Sequence, residues 1–223
     1  MSFVEVSKVG KVYGHSGAAV RVLAGIDLAI DEGEFVALMG PSGSGKSTLL
    51  TVLGAMNRPT EGRVLVDGID VYALPEERRA DFRREYLGFV FQQHHLMPYL
   101  NVLENAMLPL ATAALGAEEQ RRRALAVLEK VGLVGKIARL PNQLSGGEQG
   151  RLAIARALVN EPPLVLADEP TGTLDSRTGA EIMEVFRHLN EQGQTIFMVT
   201  HNAENAALAH RTIHIKDGRI QED

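Results

Sequence analysis

The chain has 223 residues, with 23 Lys and Arg against 28 Asp and Glu, a net charge of −5, and no cysteine. The lack of cysteine excludes a disulfide scaffold and thiolate metal sites, and the scattered basic residues argue against nucleic acid as a partner. The length predicts one large domain, or one domain with an insertion, that can bury its own core.

The N-terminal segment has Glu5 and no apolar run, so it does not resemble a signal peptide. The longest stretch without Asp, Glu, Lys or Arg, Tyr86–Leu103, contains too many polar residues to span a membrane. The sequence therefore predicts a protein that stays in the cytoplasm and reaches a membrane only through a partner.

Apolar runs rich in β-branched residues alternate with helical stretches, which is typical of an α/β domain with a largely parallel sheet. The predicted strands are Glu34–Met39, Arg63–Val66, Leu87–Phe91, Leu164–Ala167 and Thr195–Val199. The predicted helices are Lys46–Leu53, Glu118–Val131, Gly147–Val159 with Ser145 as N-cap, and one after Thr178. A hairpin is predicted at Lys216–Ile220. Residues 101–160 show helical periodicity alone, which predicts an all-helical insertion.

The segment GPSGSGKS fits the phosphate-loop pattern GxxxxGK[ST] between a predicted strand and a predicted helix. Its glycines allow backbone N–H groups to converge on phosphate oxygens, and the helix N-terminus adds positive potential. Lys46 is expected to reach the β- and γ-phosphates, and the Ser47 hydroxyl suits Mg²⁺. The alternative is a plain Gly/Ser-rich turn, which the flanking elements disfavour. The predicted ATP-contacting residues are Gly40, Pro41, Ser42, Gly43, Ser44, Gly45, Lys46, Ser47 and Thr48.

The run LVLADEP, Leu164–Pro170, predicts a buried strand that ends in two carboxylates. Successive side chains of a strand point in opposite directions, so the two acids are expected to have different roles. Asp168 is expected to join Ser47 around Mg²⁺, and Glu169 to orient or deprotonate the water that attacks the γ-phosphate. An Asp-Glu pair alone is usually a solvated turn, but the phosphate loop earlier in the chain favours catalysis.

The pentapeptide LSGGE lies upstream of this strand, and with it the chain resembles the ATP-binding cassette (ABC) family. Ser145, Gly146 and Gly147 are predicted to open a helix whose N–H groups and dipole form a second anion site, with Glu148 in the same nucleotide-binding segment. One chain cannot easily use both sites on one triphosphate. The resemblance implies that two copies pack head to tail, each signature helix contacting the γ-phosphate held by the partner's loop.

Further positions match the family one at a time. Tyr13, in KVYG, resembles the aromatic residue that stacks on adenine, with simple packing as the alternative. Gln92, after GFVF, resembles the glutamine that senses Mg²⁺ and the attacking water. Asp175, in GTLD, resembles the acid that signals across the dimer interface, and His201, in VTHN, the histidine that contacts the γ-phosphate. No catalytic role is predicted for His94, His95, His188, His210 and His214.

The resemblance implies a P-loop NTPase of the α/β class, with a RecA-like core, an N-terminal antiparallel β subdomain and an inserted α-helical subdomain. The chain is then a single nucleotide-binding domain, 1–223, with its core at 1–100 and 161–223 and its insertion at about 101–160. EPTGTLD and the short length resemble the group that serves macrolide export, lipoprotein release and cell division. Gly150 and Thr173 depart from that group, in which Gln and Asn are common at these positions.

The predicted function is an ATPase subunit that hydrolyses ATP with Mg²⁺ and couples dimer closure to a separate integral membrane permease, for export or extraction of a substrate. It is expected at the cytoplasmic face of the inner membrane, bound through the permease. One alternative is a soluble ABC-type ATPase of DNA repair or translation, although those usually carry a coiled coil or a second fused cassette. The other is a phosphate-loop kinase, which would leave LSGGE unexplained.

The segment after the predicted strand Leu87–Phe91 is apolar where a loop would normally be polar. Leu96, Met97, Tyr99 and Leu100 are predicted to form an exposed groove for a short helix of the membrane subunit. The alternative is that these residues pack the helical insertion onto the sheet.

Overall fold

The computed structural model describes residues 2–14 and 19–221 of the chain. The strands are β1 (Val4–Tyr13), β2 (Val20–Ile30), β3 (Phe35–Met39), β4 (Glu61–Val66), β5 (Ile69–Asp70), β6 (Leu87–Phe91), β7 (Leu164–Asp168), β8 (Thr195–Val199), β9 (Arg211–Lys216) and β10 (Arg219–Gln221). The helices are α1 (Lys46–Leu53), α2 (Glu76–Tyr86), α3 (Val102–Met107), α4 (Ala117–Lys130), α5 (Gly146–Leu158), α6 (Ser176–Glu191) and α7 (Ala203–Ala206). Short 3₁₀ helices lie at Leu108–Leu110, Val134–Lys136 and Pro141–Gln143.

The chain folds as two compact units, of which the first comprises Met1–Arg83 and Gly193–Asp223. In it, β2, β1, β4 and β5 form an antiparallel sheet in that order. The central strand β3 pairs in parallel with β8 on one side and β9 on the other, and β10 closes a hairpin with β9. All five residues of β8 are buried, as are four of the five in β3, because parallel strands of this kind are covered on both faces.

The second unit, Arg84–Gln192, is built on the parallel pair β6 and β7. Helices α3, α4 and α5 pack on one another, and α5 also packs on β6 and α6. Eight residues of α5 are buried, which makes it the central helix of the unit. Residues 101–160 contain helices and no strand, as predicted. The insertion boundaries at 101 and 160 stay a prediction, because the unit also includes β6, β7 and α6.

The predicted strands and helices are present, and those with predicted bounds agree within two residues at each end. The helix expected after Thr178 begins earlier, at Ser176, and Ser145 is the N-cap of α5. None of the described helices is long and apolar enough to cross a membrane. The sequence pattern did not locate β1 and β2 individually. In β1, register shifts between Val6 and Val12 interrupt the alternation of buried and exposed residues. In β2 the burial alternates from Ala24 to Ile30, but the exposed positions include Gly25 and Ala29, so the polar half of the pattern is weak. The sequence pattern also missed α2, which is strongly polar and buries only Phe82.

Candidate nucleotide-binding site

The phosphate loop connects β3 to α1 in the first unit. Gly43 and Gly45 have φ of 77° and 104°, a backbone region that favours glycine. Gly40 lies so close to β9 that an added Cβ would be 2.2 Å from the carbonyl oxygen of Ile215. Helix α1 begins at Lys46 with Gly45 as N-cap and no side-chain hydrogen bond. The first N–H groups of a helix have no intrahelical partner, so this helix start is suited to bind an anion.

Lys46 lies over the loop that precedes it. Its Nζ donates to the carbonyl oxygens of Gly40, at 2.7 Å, and Pro41, at 3.0 Å. These acceptors are neutral, whereas phosphate oxygens carry charge and form stronger hydrogen bonds with an ammonium group. The amine is therefore held beside the position where the sequence predicts the phosphates.

Two more predicted site residues lie in the first unit. Leu38 of β3 pairs with Val199 of β8, so the phosphate loop and His201 follow adjacent, parallel strand ends. The His201 side chain is exposed. Tyr13 ends β1 and is 43% exposed, with Nζ of Lys11 at 5.0 Å from its ring centroid and the amide of Asn57 donating to its hydroxyl. Tyr13 is therefore not buried in the core, and its stacking on adenine stays a prediction beside the alternative of simple packing.

The second unit brings together three predicted site residues, Gln92, Asp168 and Glu169, at the ends of β6 and β7. Phe91 is paired with Asp168, so Gln92 and Glu169 are the next residues along the two neighbouring strands. Glu169 has φ of 48°, which turns the chain away from the strand direction. A Cβ at Gly172 would be 2.7 Å from Nε2 of Gln92, so the glutamine side chain lies against the turn that follows Glu169.

The signature segment starts α5 with a complete capping box. Oγ of Ser145 accepts from the N–H of Glu148 at 3.3 Å, and the N–H of Ser145 donates to the Glu148 carboxylate at 2.9 Å. The same carboxylate forms an ion pair with Lys136. The hydrogen bond from Lys136, followed by the one from the Ser145 N–H, holds the pKa of Glu148 below its ordinary value of 4.5. The Glu148 side chain thus fixes the helix start, and any nucleotide contact at this position stays a prediction.

Asp175 has a comparable structural role at the next helix. As the N-cap of α6 it accepts from the Thr178 N–H at 3.0 Å and from the Thr178 hydroxyl at 2.7 Å. These two hydrogen bonds lower the pKa of Asp175. The residue is exposed, so its predicted role at a dimer interface is compatible with its position.

The structure also shows two basic residues near the site that the motif comparison did not identify. Lys136 holds Glu148, and Arg156 of α5 donates to backbone carbonyls of the segment that follows Gln92. Neither has a short-range sequence signal, because each acts on residues at least twelve positions away.

A phosphate loop in one unit and a strand-end carboxylate pair in the other are the components of a P-loop nucleoside triphosphatase. The chain belongs to the ABC transporter family, whose model matches residues 23–172. It is 49% identical to an uncharacterized ABC transporter ATP-binding protein of Thermotoga maritima, over 98% of this chain and 93% of that protein. It is 47% identical to the macrolide export ATP-binding/permease protein MacB of Sodalis glossinidius, over 99% of this chain and 34% of MacB.

Among solved structures, the chain is similar to the dimeric post-hydrolysis state of the ATP-binding cassette MJ0796 bound to ADP and phosphate. The TM-score is 0.88 at 46% identity, covering 98% of this chain and 97% of that one. The predicted fold class is confirmed, and the protein is an ATP-binding ABC ATPase of a transport system. The transporter names of these relatives favour transport over DNA repair or translation.

The ion pair of Glu148 leads to a pH-dependent prediction. Glu148→Gln retains an oxygen that accepts from the Ser145 N–H but loses the charge that attracts Lys136. Because the folded-state pKa of Glu148 lies below 4.5, its charge stabilises the fold above that pH and the contribution is lost as pH falls through the folded-state pKa. The variant is expected to melt below the parent at pH 7, by a margin that shrinks as the pH falls below about 4.5.

Thermal melts of both proteins from pH 7 to pH 3 measure this margin. The exposed Glu129 supplies the control, since Glu129→Gln removes an equal charge elsewhere in the same unit. A margin that stays constant with pH would contradict the assignment.

Proposed function

We propose that this chain is the ATPase subunit of an exporter or extraction system, in which two copies close on ATP and drive a separate integral membrane permease. The observation that carries this proposal is the capped LSGGE helix start in a chain that also has a phosphate loop. The similarity to MacB, which joins ATP-binding and permease parts in one protein, supports a permease partner. The expected location is the cytoplasmic face of the inner membrane.

The proposed Mg²⁺ ligands are Ser47, Gln92 and Asp168. Their hydroxyl, amide and carboxylate oxygens are the donors that this hard cation prefers, and the register of β6 and β7 places Gln92 and Asp168 at adjacent strand ends. When bound, Mg²⁺ neutralises part of the charge on the β- and γ-phosphates.

Each proposed site residue has a separate role in hydrolysis. Lys46 exchanges the carbonyls of its own loop for phosphate oxygens and holds the triphosphate. Glu169 accepts the proton of the attacking water or orients it, and His201 contacts the γ-phosphate. Tyr13 stacks on adenine.

In the proposed dimer, the second copy completes each site. The capping box already uses the N–H groups of Ser145 and Glu148, so we assign the contact with the partner's γ-phosphate to the Ser145 hydroxyl and the N–H groups of Gly146 and Gly147. Asp175, exposed at the start of α6, lies on the same interface.

We propose that the permease docks on the segment Leu96–Leu100. Tyr99 is 91% exposed and Met97 is 44% exposed, while Leu96 and Leu100 are half-buried. The fully buried Asn105 holds the segment in place: it accepts from the Met97 N–H at 2.8 Å and donates to the Leu100 carbonyl at 2.7 Å. A rigid loop that displays two large apolar side chains is suited to receive a helix.

Glu169→Gln tests the catalytic assignment. The amide cannot accept the water proton, so hydrolysis is expected to slow at least about a hundredfold while ATP still binds. The arrested protein should then run as a dimer in size-exclusion chromatography with ATP and as a monomer without it. Glu204→Gln, at an exposed position of α7, is the charge-matched control. Unchanged hydrolysis in Glu169→Gln would rule out this residue as the base.

Heterodimers test the head-to-tail arrangement. Ser145→Arg fills the space of the partner's γ-phosphate, and Lys46→Ala removes the charge that holds the phosphates, so each variant alone should be inactive. In a mixed dimer that shares sites in trans, both lesions fall in one site and the other is intact. Mixing should therefore restore part of the ATPase activity. If native mass spectrometry shows heterodimers that remain inactive, the shared site is not supported.

The double substitution Met97→Ser and Tyr99→Ser tests the docking surface. It removes apolar contact area from the partner-facing loop without touching the site residues. Stimulation of ATPase activity by the permease should be lost, while the basal rate and the melting temperature stay within error. A variant that loses several degrees of melting temperature and keeps its stimulation would show that these residues pack the fold instead.

A further inference from the structure

The segment that follows β6 makes a turn with Gln92 near its apex. The N–H of His94 donates to the Phe91 carbonyl at 2.9 Å, so Gln92 and Gln93 are the two central residues. The next two residues, His94 and His95, have φ of 54° and 47°. Successive non-glycine residues in the left-handed region are uncommon, and they persist where the surroundings hold them.

Arg156 of α5 stabilises this backbone conformation by hydrogen bonds. Its two terminal nitrogens donate separately, Nη2 to the carbonyl oxygen of His94 at 2.5 Å and Nη1 to that of His95 at 2.6 Å. The planar guanidinium places its donors side by side, which fits two carbonyls that the left-handed backbone turns toward one point. A lysine would have to serve both carbonyls from a single nitrogen, and an apolar residue has no donor, so neither reproduces two contacts from separate nitrogens.

The environment of Arg156 makes its charge costly. Burial lowers the pKa of the guanidinium, and no ion pair of Arg156 is found among residues 2–14 and 19–221. The Arg156 guanidinium is therefore partly buried, and the acceptors of its hydrogen bonds are the backbone carbonyls of His94 and His95. Arginine stays protonated even so, and its five donors remain available.

The His94 imidazole gives the turn a second anchor on the same helix. It is 6% exposed, and a Cβ at Gly150 would be 3.7 Å from its Cε1. The imidazole therefore packs beside Gly150 of α5, at a distance where an added Cβ would be in ordinary van der Waals contact with it. The turn is attached to α5 through the ring of His94 and the carbonyls held by Arg156.

On its other side Gln92 contacts the turn after Glu169. Its side-chain amide lies against Gly172, and the Thr173 hydroxyl donates to its backbone carbonyl oxygen at 3.5 Å. The side chain of Gln92 is therefore bordered by the turn after Glu169, and its backbone is restrained by Thr173 and by the segment that Arg156 of α5 contacts.

We propose that Arg156 is a positioning residue for hydrolysis, which fixes the turn that presents Gln92 and ties that turn to the signature helix α5. The inference rests on the proposed role of Gln92 in the ATPase reaction. The N-terminus of α5 is the segment assigned to the γ-phosphate bound by the partner copy, whereas Gln92 is assigned to the ATP bound by its own chain. Helix α5 would therefore connect the two sites of the dimer.

A double-mutant cycle in the full-length chain tests this coupling. The proteins are the parent, Gln92→Ala, Arg156→Met and the double variant, compared by kcat, KM for ATP, and the Mg²⁺ concentration that gives half-maximal activity. Arg156→Met is expected to lower kcat about tenfold or more and to raise the Mg²⁺ requirement, with KM for ATP within about twofold. In the Gln92→Ala background the same substitution should change kcat by less than about twofold, since it acts through Gln92.

Arg156→Lys keeps the charge and most of the side-chain length but replaces the two terminal nitrogens by one, so it cannot reproduce the side-by-side geometry of the guanidinium. It should give an intermediate kcat, and it keeps the test available if Arg156→Met folds poorly. The control is Arg187→Met, which removes an arginine from exposed ion pairs with Glu184 and Glu191 in the same unit. Its kcat and Mg²⁺ requirement should equal those of the parent.

Three results would overturn the inference, each in a different way. If Arg156 and Gln92 lower kcat independently, so that their effects multiply, Arg156 does not act through Gln92. If Arg156→Met and Arg156→Lys leave kcat and the Mg²⁺ requirement unchanged while Gln92→Ala lowers kcat, Arg156 is only structural. If Gln92→Ala has no effect, the positioning role is excluded but the ATPase function stands. A parent that does not hydrolyse ATP would instead refute the proposed function itself.

Discussion

The close packing of α5 against the segment 174–182 is the constraint on which the second unit depends. A Cβ at Gly147 would lie 2.5 Å from Cγ2 of Thr178, and one at Gly146 would lie 3.0 Å from Cδ2 of Leu174. A glycine in a helix costs roughly 0.5 to 1 kcal/mol relative to alanine. The capping box at Ser145 and the eight buried residues of α5 offset that cost. The two signature glycines therefore serve packing, because their missing Cβ atoms admit the neighbouring side chains, and the same feature suits the anion binding proposed for this helix start.

The two helix starts assigned to phosphate are built on opposite principles. Helix α1 follows a left-handed glycine without a side-chain cap, and its lysine rests on neutral carbonyls that charged phosphate oxygens can replace. Helix α5 is capped by Ser145 and Glu148 and is further held by Lys136. The first start can accept a triphosphate with little competition from its own side chains. The second keeps its geometry fixed, which suits a surface that meets a ligand carried by another chain.

The sequence predicted those parts of the structure that depend on local pattern. The strand–loop–helix around Lys46, the strand that ends at Asp168 and the Ser145 cap each follow from residues within one short window. The position of β1 could not be assigned because irregular register breaks its alternation, and that of β2 because small residues, Gly25 and Ala29, stand at its exposed positions. The polar helix α2 lacks a periodic apolar face. The contacts of Arg156 with His94 and His95 join residues about sixty positions apart and involve backbone carbonyls, which carry no residue-specific signal. The assignment of ATP to this chain rested on family resemblance as much as on chemistry.

The segment between β6 and α3 is held at both ends by groups of different chemistry. Asn105, a neutral amide in α3, satisfies donors and acceptors of residues 97–101, whereas Arg156, a cation in α5, donates to the carbonyls of residues 94 and 95. Since α3 and α5 also pack on each other, the exposed Tyr99 and the residue Gln92 belong to one braced segment. Hydrogen bonds from both helices therefore restrain the segment that links Tyr99 to Gln92. The His94 ring adds a contact with α5 beside Gly150, where the nearest neighbour of an added Cβ would be Cδ1 of Ile182, at 3.0 Å.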